Sequence, residues 1–300
     1  MTTLSYHLLD VFTDRPFAGN PLAAVEDADG LSALEMQAIA REFNLSETVF
    51  LLEPRDPAHS ARLRIFTPAA ELPFAGHPTV GAAILLAETR AGDLLSRHGV
   101  AVALECALGV IRCEALRSRS GVTYAELTLP TTPETLEGAP SPETLAEALS
   151  LAPGDIGFGE HAPAIHAAGP AFVYAPIVSR AVLDRARPSS RFSAVIGRAA
   201  GVYLYTRETV APESAIYARM LAHGLGIDED PATGSAAAAF AAVAARFERP
   251  EDGEHELFIE QGYAMGRPSR ITLRMTVEKG ALARVAIGGQ AVRVAEGRLL

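Results

Sequence analysis

Glu71-Leu72-Pro73-Phe74-Ala75-Gly76-His77 runs directly into the small, apolar stretch Pro78-Thr79-Val80-Gly81-Ala82-Ala83. The chain repeats the device 158 residues later. There Glu229-Asp230-Pro231-Ala232-Thr233-Gly234-Ser235 leads into Ala236 to Ala239. Both stretches read E-x-P-x-x-G-[H/S], and the shared pattern marks an internal duplication. In each, Gly76 or Gly234 lets the chain turn sharply before a helix. The first helix is expected over 78–90, with Pro78 at its first position, where the missing N–H costs nothing. The second is expected over 235–246, with Ser235 as its cap. Helix starts carry unpaired N–H groups and a favourable dipole, so each is an anion site. Two such starts facing each other between two lobes would hold a small acid, not a nucleotide.

Around these repeats, strands and helices alternate. Strand-like runs include 48–52, 62–66, 100–105, 110–114, 124–129, 172–175, 201–206, 256–260, 270–277 and 281–287. Ser32 with Glu35 reads as a capping box opening a helix to Phe43. The Pro- and Thr-rich segment from Leu129 to Pro142 reads as a linker. It sets an N-terminal lobe at 1–128 and a C-terminal lobe at 129–300, with the last strand expected to pack back on the first.

Composition excludes several classes. The 26 basic and 36 acidic residues give a net charge of −10, spread without blocks. That argues against nucleic acid, which requires a concentrated basic surface. No apolar run is long enough to cross a bilayer, and the N-terminus lacks a basic leader, so a cytoplasmic protein is expected. Cys106 and Cys113 flank a tight turn where they would face each other across a hairpin. Two thiols alone do not make a zinc site, and His161 and His166 lack acidic partners at ligand spacing, so no metal is expected. They read as buried free thiols.

Four residues could carry chemistry. Glu47, at the junction of a helix and an apolar strand, reads either as a turn carboxylate or as an acid/base raised by desolvation. His77, where the helix field opposes protonation, reads as a cap or as a neutral proton relay. Asp230 reads as a turn residue or as a partner for a substrate amine or hydroxyl. Ser235 is most simply an N-cap. Glu88 and Glu105 read as solvated-face acids.

With these stands a set of ordered motifs: Leu9-Asp10-Val11-Phe12-Thr13, Pro16 to Ala23, Asn44-Leu45-Ser46-Glu47-Thr48, Phe66-Thr67-Pro68 and Gly76-His77-Pro78-Thr79. Glu229 to Ala236, Gln261-Gly262 and Met265 to Ser269 complete it. On these the chain resembles the PhzF-like phenazine-biosynthesis isomerase/epimerase family, nearly end to end. The resemblance implies an α+β fold of the diaminopimelate epimerase type. Its two pseudo-symmetric lobes would each be a curved, mostly antiparallel sheet wrapped around a central helix, with the active site in the cleft. It further implies a cofactor-independent isomerase acting on a small cyclic carboxylic acid, and a homodimer. Glu47 would be the general acid/base, with His77 and Asp230 beside it, and Gly76, Gly234 and Ser235 would bind substrate. The helix-start loops lack the cysteine pair of the diaminopimelate-type epimerases, which disfavours two-thiol epimerisation. An amino- or imino-acid epimerase and a catalytically silent small-acid binding protein are the rival readings. Ala222-His223 before Gly224-Leu225-Gly226 departs from the Phe-Ala-Pro of many relatives, so ligand shape is expected to differ there.

Overall fold

The computed structural model describes residues 3–118, 120–223 and 227–300. The Gly224-Leu225-Gly226 turn lies outside the described residues. The fold is α+β, and its internal contacts divide it into two units, Met1–Pro130 with Ile287–Leu300, and Thr131–Ala286.

The first unit contains β1 (Leu4–Val11), β2 (Asn20–Val25), α1 (Ala33–Phe43), β3 (Glu47–Leu52), β4 (Ala61–Phe66) and β5 (Glu71–Leu72). After these come α2 (Gly76–Leu95), β6 (Val100–Cys106), β7 (Gly109–Arg117) and β8 (Thr123–Thr128). The second unit contains β9 (Glu134–Leu136), α3 (Pro142–Leu149), β10 (Ala164–Ala167), β11 (Ala171–Pro176), α4 (Arg180–Arg185), α5 (Phe192–Ile196) and β12 (Gly201–Thr206). It continues with β13 (Ile216–Ala222), β14 (Glu229–Asp230), α6 (Gly234–Phe247), β15 (Gly253–Gln261) and β16 (Ser269–Glu278). A tight turn at Lys279-Gly280, both at positive φ, leads into β17 (Ala281–Leu299). β17 pairs antiparallel with β1, placing Leu4 opposite Leu299, and it also pairs with β8.

The duplication is a strand path walked twice. In the first unit β1–β2 is antiparallel, β2–β3 parallel, β3–β4 and β4–β5 antiparallel, β4–β6 parallel and β6–β7 antiparallel. In the second, β10–β11, β11–β12, β12–β13, β13–β14, β13–β15 and β15–β16 repeat that order with the same directions. Each unit places one apolar helix against its strands. In α2 every residue from Gly76 to Ala87 is buried, and in α6 every residue from Gly234 to Ala244. A helix apolar on all sides has no solvent face to offer, so it sits inside its sheet.

Bulk is distributed differently in the two units. α2 supplies bulk itself through Val80, Ile84, Leu85 and Leu86. α6 is mostly alanine, and the wall supplies the volume through Tyr174, Tyr203 and Tyr205. Tyr174 even reaches the helix backbone, donating to the Ala236 carbonyl at 2.7 Å.

Several local expectations change. Both helices begin one or two residues earlier than expected, at Gly76 and Gly234, so Pro78 is the third helical residue. The residue capping α6 is Thr233, not Ser235, and no side chain accepts there. Gly76 and Gly234 are themselves helical, so neither serves as a left-handed turn. The segment 129–142 is more than a linker. Glu134–Leu136 pairs with β10, and Ser141 caps α3. Cys106 lies opposite Gly109 and Cys113 opposite Val102, so the thiols do not face each other; Cys106 is only half-buried. The capping box at Ser32 and Glu35 forms as read, with N–H to oxygen distances of 3.3 and 2.8 Å.

Candidate active site

In the first unit the parallel pairing of β2 and β3 sets Leu22 opposite Glu47. Asn20 and Glu47 thereby begin neighbouring strands, and the start of α2 brings His77 to both. His77 Nδ1 lies 3.2 Å from Glu47 Oε2 and 3.3 Å from Asn20 Nδ2. Burial pulls the imidazole down to about 3, with the Pro21 carbonyl opposing the shift more weakly. The ring is therefore neutral at any ordinary pH. A neutral Nδ1 accepts from the Asn20 amide, and its approach to Glu47 Oε2 is a close polar contact without hydrogen-bond geometry. The Glu47 side chain is 13 % exposed, enough to meet a ligand while sheltered from bulk water. The loop entering Asn20 is held from below, since Asp10 on β1 accepts the Phe17 N–H at 2.6 Å.

The second unit builds a different cluster at the matching helix start. Thr233 Oγ1 donates to Asp230 Oδ2 at 2.6 Å. Gln261 Nε2 donates to the Asp230 carbonyl at 2.8 Å and to Thr233 Oγ1 at 3.0 Å, while its Oε1 accepts the Thr233 N–H at 3.2 Å. Nearby, the Tyr203 hydroxyl is fully buried with no protein hydrogen-bond partner among the described residues. Burial, and then the charge of Asp230, push its pKa well up, so it stays a protonated donor. Ser235 is buried in the first turn of α6. Pro78 removes one free N–H from the start of α2, whereas α6 has Ala236 at the matching place and keeps that donor.

The registers allow a residue-by-residue comparison of the halves. Phe66 pairs with Thr48 and Glu71, and Leu221 pairs with Val202 and Glu229, so Phe66 and Leu221 hold equivalent places. Arg64 and Arg219 then correspond, and each forms a two-pronged ion pair with the glutamate that opens the repeated motif. Arg64 meets Glu71 at 2.7 and 2.6 Å, and Arg219 meets Glu229 at 2.9 and 2.8 Å. Glu105 and Glu260 also correspond. Glu105 accepts the N–H groups of Arg55 and Asp56, and Glu260 those of Val210 and Ala211. Thus Glu105 is not a solvated-face acid. It clamps the β3–β4 loop, and the hydrogen bond from His59, then those from the Asp56 and Arg55 backbone, lower its pKa to about 2. Glu88 is likewise engaged, accepting from Thr123 at 2.6 Å. The residue equivalent to Glu47 is Gly201, where a Cβ would stand 2.3 Å from the Leu221 carbonyl oxygen.

Glu47 and His77 are therefore brought together with Asn20 in the first unit. Asp230, Gly234 and Ser235 gather with Thr233 and Gln261 in the second. Asn20, Thr233, Gln261 and Tyr203 were not singled out by sequence reasoning. Asn20 and Gln261 do lie inside motifs that carried the resemblance, which was the available signal. Among the described residues, no three His, Cys, Asp or Glu side chains form a metal-binding set, and no helix is long and apolar enough to cross a membrane.

Comparison with known proteins places this geometry. Residues 9–297 match the family described as phenazine biosynthesis-like protein, PhzC-PhzF. An uncharacterized isomerase of Mesorhizobium japonicum is 50 % identical, covering 100 % of this chain and 99 % of that one. The trans-2,3-dihydro-3-hydroxyanthranilate isomerase of Pseudomonas chlororaphis is 36 % identical, covering 98 % and 99 %. The crystal structure of a PhzF-family phenazine biosynthesis protein from Bacillus anthracis superposes with a TM-score of 0.88 at 30 % identity, over 100 % of both chains. The chain belongs to the phenazine biosynthesis-like PhzC-PhzF family, and it is an isomerase.

Proposed function

We propose that the protein moves a proton between two carbons of a small cyclic carboxylic acid, with Glu47 as the single acid and base. The observation that carries this is the asymmetry of a duplicated scaffold. Glu47 stands against a neutral buried imidazole, and the equivalent place in the other half is Gly201. Inverting a stereocentre calls for an acid and a base on opposite faces, whereas a proton shift along one face of a conjugated ring needs only one group. Glu47 as carboxylate takes the proton from one ring carbon, and as carboxylic acid returns it to another. His77 stands against the Glu47 carboxylate and stays uncharged throughout. Asp230 accepts from the amine or hydroxyl of the acid. Each helix start, with the N–H of Gly76 in one unit and those of Gly234 and Ser235 in the other, favours a carboxylate and negative charge that spreads towards it.

The relatives named for trans-2,3-dihydro-3-hydroxyanthranilate make an unsaturated cyclic amino acid of that kind the first substrate to test. Chiral chromatography and NMR of the product separate the readings. A positional isomer is expected; recovery of the substrate's mirror configuration at an unmoved double bond would replace this reading with epimerisation.

A further inference from the structure

We infer that Gln261 is the positioning residue for Asp230, an inference that rests on Asp230 being a substrate contact as proposed above. Gln261 ends β15 and is wholly buried. Its side-chain amide is used at both ends on a single loop, binding the Asp230 carbonyl, the Thr233 hydroxyl and the Thr233 N–H. These partners fix the amide's orientation, because only the nitrogen can donate to a carbonyl and only the oxygen can accept an N–H. The Thr233 hydroxyl, receiving from Gln261, is left with its proton directed at Asp230 Oδ2. Gln261 thus reaches the Asp230 carboxylate through one intervening hydroxyl, and the main chain of Asp230 directly.

The same loop is gripped by the residues that follow. Gly262 has a φ of 80°, and a Cβ there would stand 2.6 Å from the Pro231 carbonyl oxygen, so the backbones meet too closely for any side chain. Ser269, opposite Gln261 in the register, donates to that same Pro231 carbonyl at 3.1 Å. Successive polar groups of the 230–233 turn are accordingly satisfied from the β15–β16 end. Gln261 accepts the N–H of Thr233, the residue that precedes the first turn of α6, and leaves the N–H groups of that turn uncapped by any side chain. In the first unit the equivalent residue is Cys106, which has no such reach. Gln261 therefore belongs to the specialised part of the second half, not to the duplicated frame.

The test is a double-mutant cycle read as kcat and KM, with trans-2,3-dihydro-3-hydroxyanthranilate as probe. Asp230→Ala is expected to lower kcat/KM about 100-fold, and Gln261→Met about 10-fold or more, mainly through KM. In the Asp230→Ala background, Gln261→Met is expected to cost less than about 2-fold, because the group it positions is gone. Gln261→Glu, isosteric and still able to accept the Thr233 N–H, is the second variant and is read the same way. If the Gln261 substitutions cost the same factor with and without Asp230, Gln261 is merely structural and the inference fails. If Asp230→Ala leaves kcat/KM unchanged while Gln261→Met does not, the assignment of Asp230 itself is overturned.

Discussion

The two halves share a frame and differ in what is mounted on it. Both pin the strand before the buried helix with an Arg–Glu fork, and both hold a strand-joining loop with a carboxylate on two backbone N–H groups. Against this, Glu47 is matched by Gly201, His77 by Ser235 and Cys106 by Gln261. Duplication kept the interactions that set backbone geometry. The positions that differ lie at the ends of strands and at the helix starts. One half carries Glu47 against His77, and the other a fixed polar loop.

Restoring the symmetry should be the most damaging change. Gly201→Glu puts a Cβ 2.3 Å from the Leu221 carbonyl oxygen and 2.8 Å from Met220 Sδ. A loss of about 5 kcal/mol or more is expected, seen as a lower urea midpoint or no folded protein. A stable variant would mean that the second half tolerates a carboxylate where only the first carries one.

Next come the two forks, which are alike in geometry but unlike in surroundings. Side-chain exposure is 4 % and 16 % for Arg219 and Glu229, but 25 % and 41 % for Arg64 and Glu71. Arg219 also donates to the carbonyls of Leu183, Asp184 and Ala186. Arg219→Met should cost about 3–5 kcal/mol, because it strands a sheltered carboxylate. Arg64→Met should cost about 1 kcal/mol or less. Equal losses in urea unfolding would show that burial does not separate the forks.

At neutral pH the smallest effect concerns the helix starts. The His77 pKa falls from 6.5 to about 3 on burial, so below pH 6.5 the unfolded chain takes up a proton that the folded one refuses. Stability contributed above pH 6.5 is lost progressively as the pH falls towards 3. His77→Gln should flatten that part of the pH profile of Tm, whereas Ser235→Ala should leave its shape unchanged. An unaltered profile in His77→Gln would place the acid sensitivity elsewhere.

How much of this could be read beforehand follows the range of each interaction. The capping box of α1 spans three residues and was legible, as were most strands. The motif glutamates Glu71 and Glu229 were visible as letters, but their purpose was not. Their arginines lie on another strand, and only the register of β4 with β5, and of β13 with β14, brings them opposite. The helix starts were misplaced because glycine disfavours helix, yet burial and the neighbouring strands make Gly76 and Gly234 helical all the same. Glu47 and His77 were legible as candidates; their contact was not, since it depends on β3 and α2 meeting. Gln261 is visible in the sequence only as part of a motif, because its three partners lie about thirty residues upstream in the chain.

The account stands or falls on Glu47, and solvent deuterium is its most direct probe. Turnover of trans-2,3-dihydro-3-hydroxyanthranilate, or another small cyclic amino acid that the enzyme accepts, is followed in D2O by NMR of the product. The wild type should place deuterium at one ring carbon, and Glu47→Gln should slow that labelling by about 100-fold or more while the protein stays folded. Labelling by Glu47→Gln at the wild-type rate would contradict the assignment of the proton to this carboxylate.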